Sequence, residues 1–267
     1  MPARDLALLT EAAREAGRIA MRYWRGDLRH WDKGGEHGPV SEADLAVDEM
    51  LKQRLLSARP DYGWLSEETP DNPARLDHEH VFIVDPIDGT RAFIAGEETF
   101  AHSLAVAHRG RVTAAVVYLP ALDRIYCASE TSAPLRDGQP IRASRRERLE
   151  GAEILTTKAN LAPEKWPGGV PEVQRHFRAS LAYRLCLAAE GRFDGMLTLR
   201  AAWEWDIAAG SLIATRAGAV VSDRLGAELR FNTPSALADG VLALPPLAHA
   251  EAVRRLARPG LDPGRLP

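Results

Sequence analysis

The chain has 267 residues, a formal charge of −3, 27% charged residues and 45% hydrophobic ones. That length can bury a sizeable core as one large unit or two closely packed ones, and scattered Lys and Arg in a mildly acidic chain exclude a basic nucleic-acid-binding stripe. No apolar run approaches membrane-spanning length.

The opening Met1-Pro2-Ala3-Arg4-Asp5 lacks the apolar core of a secretory signal, and Glu11, Arg14 and Glu15 bring charge into the next two turns of chain. Residues 5–25 read as an amphipathic helix. Residues 41–58 read as a second, strongly amphipathic one, opened by Ser41 as N-cap, with Asp44 on the first turn and free for other work. Gly63-Trp64-Leu65-Ser66-Glu67-Glu68 is a strand end running into two carboxylates. Residues 81–84, all β-branched or aromatic, predict a short buried strand stopped by Pro86. Strand-like runs at 102–108, 111–119 and 124–128, separated by short turns, predict a meander, and Asp137-Gly138 marks another tight turn. The arginine-rich run 142–148 reads as a solvated loop. Residues 152–157 open the second half as a strand. Helices are predicted at 180–190, 207–217 and 248–257, with strands near 195–199, 219–222 and 241–244. The tail Pro259-Gly260-Leu261-Asp262-Pro263-Gly264 is expected to fray.

This mixture predicts an α/β chain of layered sheets and helices. It divides into an α+β half over 1–150 and an α/β half over 151–267, forming one compact unit with the site between the halves. Cys127 and Cys186 lie in apolar surroundings without a partner motif, so a reduced, cytoplasmic protein is expected.

The chemistry concentrates in Asp85-Pro86-Ile87-Asp88-Gly89-Thr90. Pro86 stiffens the turn, Gly89 permits close backbone approach, and Thr90 can cap the short helix suggested by Thr90-Arg91-Ala92-Phe93-Ile94. Hard oxygen ligands beside helix-terminal amides suit Mg²⁺ with a phosphate bound to it. For a lone pair of aspartates so spaced, an ordinary turn and cap is the better reading. Three further acidic segments favour the metal: Glu67-Glu68, of which at most one faces a metal from an extended segment; Asp206, before a small-residue helix that it can also cap; and Asp44.

Taken together, Glu67-Glu68, Asp85-Pro86-Ile87-Asp88-Gly89-Thr90 and Trp205-Asp206-Ile207-Ala208-Ala209-Gly210 resemble the three signature segments of the inositol monophosphatase superfamily, in the family's order. The resemblance runs from the N-terminal helix to about residue 245. It implies a five-layer αβαβα sandwich and a Mg²⁺-dependent phosphomonoesterase that is sensitive to Li⁺ and homodimeric. Glu67, Asp85 and the Ile87 carbonyl would hold one Mg²⁺; Asp85, Asp88 and Asp206 a second; and Glu67 with water a third. The Gly89 and Thr90 amides would hold phosphate oxygens. Asp44 would hydrogen-bond Thr90, so that Thr90 and Glu67 orient the attacking water, and Lys33 would sit in a mobile loop with Gly34, Gly35 and Gly38.

The leaving-group side departs from the inositol pattern. No glycine stands beside Ser180 in the segment to Gly191, and Leu199 stands near an expected acidic position. Arg184 matches a lysine of the bisphosphate nucleotidase branch and is either a partner for a second phosphate or a surface helix arginine. Trp203 either stacks on a base or fills the core. The sequence therefore points to a small phosphate monoester, adenosine 3′,5′-bisphosphate ahead of inositol phosphate or another sugar or histidinol phosphate. A catalytically silent phosphate-binding or regulatory protein of the same fold is the alternative from another class.

Overall fold

In chain order the elements are α1 (Pro2–Tyr23), β1 (His30–Asp32), β2 (Pro39–Ser41), α2 (Glu42–Ala58), β3 (Gly63–Ser66), β4 (His80–Asp88), α3 (Thr90–Ile94), β5 (Ala101–His108), β6 (Arg111–Leu119), β7 (Arg124–Ser129), β8 (Leu135–Arg136) and β9 (Gln139–Pro140). The second half contributes β10 (Glu153–Leu155), β11 (Gln174–His176), α4 (Leu181–Ala189), β12 (Gly195–Thr198), β13 (Ala202–Trp203), α5 (Glu204–Arg216), β14 (Val220–Ser222), β15 (Leu237–Ala238), β16 (Val241–Leu244) and α6 (Pro246–Leu256). The structure, a computed structural model, describes residues 2–34 and 38–257. Gly35 and the Pro/Gly-rich tail of the sequence reading lie outside the described residues.

Strands β3 to β9 form a seven-stranded sheet in sequence order, with β3–β4 parallel and the remaining pairs antiparallel. The expected meander is thus its centre. Asp137 and Gly138 both take positive φ (50° and 78°) in the two-residue turn joining β8 to β9, the conformation such hairpins need. A five-stranded sheet has the order β11-β10-β12-β16-β14. Helices α1 and α2 bury Leu9, Val47, Leu51 and Leu55 against one face of the first sheet. Helices α4 and α5 fill the space between the two sheets, and α6 covers the far face of the second through Ala252 and Leu256. The sequence of layers is helix, sheet, helix, sheet, helix, as the resemblance implied.

Local departures from the sequence reading cluster near the acidic segments. Strand β4 does not stop at Pro86. It stays paired through a register shift in which residues 85 to 88 face residues 103 to 101, and Pro86 sits in that irregularity, where no ladder N–H is required. Gly89, with φ of 100°, takes the N-cap position of α3, and Thr90 is the first helical residue rather than the cap. Helix α5 starts at Glu204, so Asp206 lies inside the first turn instead of capping it. The early start has a cause: buried Glu204 accepts hydrogen bonds from Asn232 N (2.5 Å), Thr233 N (2.9 Å) and Thr233 Oγ1 (2.5 Å). Helix α2 begins where expected, but its buried face carries Asp44 and Asp48 beside Ala43 and Val47, so its apolar stripe opens on two acids.

Helices α4 and α5 cross where Gly210 lacks a side chain. A Cβ there would lie 2.5 Å from Leu185 Cβ, an atom fixed to the backbone. Alanine ordinarily favours a helix interior by about 1 kcal/mol over glycine. At this crossing the overlap dominates, and Gly210→Ala is expected to lower the unfolding free energy by about 1–3 kcal/mol in urea titration.

Candidate metal centre

The parallel pairing of β3 with β4 sets Ser66 opposite Val84, and Glu67 N donates to Val84 O (3.3 Å), which brings the Glu67 and Asp85 side chains to the same sheet end. Asp206 arrives from the first turn of α5, whose start is tied to β5 by Ser103 Oγ donating to Trp205 O (2.9 Å). One carboxylate oxygen from each of Glu67, Asp85 and Asp206 lies within 4.8 Å of the other two.

Desolvation pushes Asp85 well above the usual carboxylate range, and the charges of Glu67, Asp88, Asp206 and Asp44 add to the shift. Asp206 is likewise raised by burial and then by Asp88 and Glu67. Glu67 is raised to about 7 by burial, with Lys33 opposing and Glu68 reinforcing. Asp85 Oδ1 is buried without a hydrogen-bond partner among the described residues. Converging carboxylates with an orphaned buried oxygen fit a hard divalent cation, and all-oxygen donors suit Mg²⁺. Glu67, Asp85 and Asp206 are therefore the residues able to hold it.

The other expected site residues fall around this cluster with different partners. Asp88 lines the same cavity but has one oxygen engaged elsewhere: Oδ2 accepts from Ser180 Oγ and Ala182 N, both at 2.6 Å, at the start of α4. A metal contact from Asp88 would have to use its other oxygen. The Ile87 carbonyl accepts from Thr90 Oγ1 (3.2 Å), which also lies 3.3 Å from Asp44 Oδ1. Asp44 is not free, as the sequence suggested; Oδ2 accepts from Ser41 N (2.8 Å) and Ser41 Oγ (2.5 Å). Burial raises its pKa to about 6 against those hydrogen bonds. At Gly89 an added Cβ would meet Thr99 O at 3.4 Å and Ser180 N at 3.6 Å, so the backbone is open only to a narrow approach.

Lys33 Nζ reaches both Glu67 Oε1 (3.1 Å) and Glu68 Oε1 (2.9 Å). Only Glu67 joins the carboxylate cluster, as the geometry of an extended segment required. Both side chains nevertheless reach one ammonium, because they lie beyond the last paired residue of β3. Arg184 is not a surface arginine. It is 8% exposed, its Nε donates to Arg178 O (2.5 Å), its Nη2 donates to Ala179 O (3.1 Å), and its guanidinium lies 4.5 Å from the Phe177 ring centre. Together with Arg91, Arg200 and Trp203 it lines a cavity of about 610 Å³ that contains Asp85, Asp88 and Asp206. Trp203 fills neither expected role alone: it is half-buried, stacked 4.7 Å from Trp205, and borders that cavity. A larger hollow of about 690 Å³, edged by Arg142, Arg145 and Arg216, lacks any such convergence of carboxylates.

Two supporting residues escaped the sequence reading. Asp48 accepts from Ser66 Oγ (2.5 Å) and Thr69 Oγ1 (2.6 Å), bracing the segment that carries Glu67 and Glu68. Its signal was present, four residues after Asp44 and on the same helix face. His102 Nδ1 donates to the Pro86 carbonyl from β5; nothing local in the sequence marks that contact.

The inositol monophosphatase family model matches residues 2–258. The chain belongs to this family. Members are Mg²⁺-dependent hydrolases of phosphoric monoesters, and that enzyme class applies here. The chain is 31% identical over 248 residues to an inositol-1-monophosphatase of Mesorhizobium japonicum, covering 87% of this chain and 90% of the relative. It is 29% identical to the Nus factor SuhB of Salmonella typhimurium, covering 83% and 85%. The Thermotoga maritima IMPase superposes with a TM-score of 0.80 at 28% identity, over 96% of this chain and 97% of that one. No helix among the described residues is long and apolar enough to cross a membrane.

His102 gives this family member a pH-dependent support. A carbonyl can only accept, so Nδ1 carries the proton, while Nε2 is buried without a partner. Burial lowers the ring's pKa to about 4 despite the hydrogen bond to Pro86. The unfolded chain therefore binds the extra proton first, and stability is lost as pH falls from about 6.5 toward 4. Between pH 7 and 4.5, His102→Gln is expected to lose less unfolding free energy than wild type by about 2 kcal/mol, read from urea titrations at each pH.

Proposed function

We propose that the chain hydrolyses a small phosphate monoester carrying a second anionic group, of the adenosine 3′,5′-bisphosphate kind. The observation that carries the hydrolytic reading is the convergence of Glu67, Asp85 and Asp206, with Asp85 Oδ1 buried and without a hydrogen-bond partner. The substrate reading rests on Arg184, with Arg91 and Arg200 on the same cavity wall as the carboxylates.

Glu67, Asp85 and Asp206, with the Ile87 carbonyl and the second oxygen of Asp88, would hold two to three Mg²⁺ ions. When bound, these supply a nucleophile near neutral pH and neutralise charge on the leaving oxygen. The protein's own groups do the positioning. Thr90 Oγ1, held between Asp44 and the Ile87 carbonyl, orients the attacking water together with Glu67. The Gly89 and Thr90 amides receive phosphate oxygens at the backbone approach that glycine leaves open. Arg184 is presented by the Arg178 and Ala179 carbonyls and the Phe177 ring, so little side-chain freedom is lost when a second phosphate binds. Lys33 keeps Glu67 and Glu68 partly neutralised. We also propose a homodimer, on family resemblance.

The second reading is inositol phosphate, favoured by the name of the Mesorhizobium relative. Against it, Leu199 offers no carboxylate to sugar hydroxyls, and its neighbour Arg200 adds positive charge.

Asp206→Asn is expected to cut kcat at saturating Mg²⁺ by at least about 100-fold, since it removes an anionic donor from the cluster. Near-wild-type turnover would overturn the metal reading, and wild-type inactivity on a panel of phosphomonoesters would point to a silent, regulatory protein. For substrate, kcat/KM is expected to be higher for adenosine 3′,5′-bisphosphate than for inositol 1-phosphate, with Arg184→Met narrowing the gap about tenfold, or about 1.4 kcal/mol. A tenfold preference for inositol phosphate in wild type would establish the second reading.

A further inference from the structure

Strand β4 carries the carboxylate cluster at one end and a different set of ligating side chains at the other. His80, its first residue, is in register with His108, the last residue of β5. Their imidazoles stack with centroids 4.3 Å apart and planes 13° from parallel. Tyr62 stacks on His80 at 4.7 Å, and its hydroxyl donates to Asp5 Oδ2 (3.2 Å), so the His80 ring lies against a fixed surface. Glu79 turns toward the same place. Its Oε1 accepts from the Arg109 guanidinium, while its Oε2 is 3.9 Å from His108 Nε2. Arg109 is itself positioned by its N–H donating to Glu79 O (2.8 Å) and by its place in the β5–β6 turn, where it and Gly110 take φ of 49° and 80°. One ligand atom from each of Glu79, His80 and His108 lies within 4.8 Å of the other two. Among the described residues no hydrogen bond to protein occupies a ring nitrogen of either histidine.

We propose that Glu79, His80 and His108 bind a transition-series divalent cation, Zn²⁺ in chemical class, at a site separate from the Mg²⁺ centre. Two imidazoles and one carboxylate leave a fourth position open to water and form a recognised zinc donor set, whereas Mg²⁺ prefers oxygen alone. Zinc–nitrogen bonds of about 2.0–2.1 Å need the donor atoms to close to roughly 3.3 Å of one another. Rotation of the exposed Glu79 and His108 side chains (60% and 39% exposed) supplies that movement and tilts the His108 ring out of its stack so that both nitrogens can face one ion, while Tyr62 keeps His80 in place. Arg109 stays on Oε1 and orients the carboxylate so that Oε2 is the ligand, the part outer-shell partners commonly play. Five residues of extended chain, about 16 Å, separate His80 from Asp85, so no single ion serves both places. A bound ion would clamp β4 to β5, the strands that carry Asp85 and His102.

The test uses the full chain in saturating Mg²⁺, titrated with Zn²⁺ and monitored by equilibrium dialysis, and with Co²⁺ monitored by visible absorption. Wild type is expected to retain one Zn²⁺ beyond those displaced from the carboxylate centre, to give a Co²⁺ band of low-coordinate nitrogen ligation, and to melt at higher temperature with Zn²⁺ present. His80→Gln and His108→Gln should each weaken this ion at least tenfold and Glu79→Gln severalfold, with phosphatase activity unchanged. Asp206→Asn should leave it in place. Melting without Zn²⁺ checks folding; if His80→Gln folds poorly, His108→Gln at the exposed strand end and Glu79→Gln decide. The proposal is overturned if no extra Zn²⁺ is retained, if the folded His variants bind it within twofold of wild type, or if Asp206→Asn abolishes it.

Discussion

The burial of several converging carboxylates is the constraint on which the rest of the structure depends. Asp44, Glu67, Asp85, Asp88 and Asp206 are all raised above their ordinary range, in each case by burial first. Such a group is tolerated only where each acid gains a partner or stays protonated. The fold assigns partners one by one: Ser41 and Thr90 to Asp44, Lys33 to Glu67, and Ser180 with the Ala182 amide to Asp88. Asp85, at the centre, keeps an oxygen with nothing to accept from. Among the carboxylate oxygens of the described residues, the buried one left without a partner is thus where a cation would be shared.

That arrangement explains why the surrounding elements have the forms they do. The register shift at Pro86 lets β4 present two aspartates from a strand that remains paired, and His102 holds the shifted backbone from the adjacent strand. Asp48, buried on the same helix face as Asp44, ties the Glu67 segment to α2. Positioning therefore comes from hydrogen bonds that converge from β5, α2, α4 and α5, rather than from one rigid loop.

Much of this was legible in the sequence because the metal-side residues sit in short, contiguous segments with distinct chemistry. The meander, the layer order and the convergence of Glu67, Asp85 and Asp206 all came from local pattern joined to family resemblance. What could not be read was the pairing between segments. Asp88 belongs to the same hexapeptide as Asp85, yet its oxygen is taken by a helix start 92 residues away. Arg184 on a helix reads equally as solvated or as a phosphate partner until the Phe177 ring and two carbonyls are seen to enclose it. The early start of α5 depends on Thr233, far downstream, satisfying Glu204. Propensity carries no information about such partners.

The crossing at Gly210 links these observations. Helix α4 begins with the groups that hold Asp88, and the first turn of α5 carries Asp206, so the depth at which the two helices nest bears on how far apart those acids stand. That depth is set by a hydrogen atom where other residues would place a methyl group, opposite Leu185. The spacing of charge in the site thus depends in part on a hydrophobic contact that touches neither ion nor substrate. Drift at residues 185 and 210 would retune the centre while every ligand stayed unchanged.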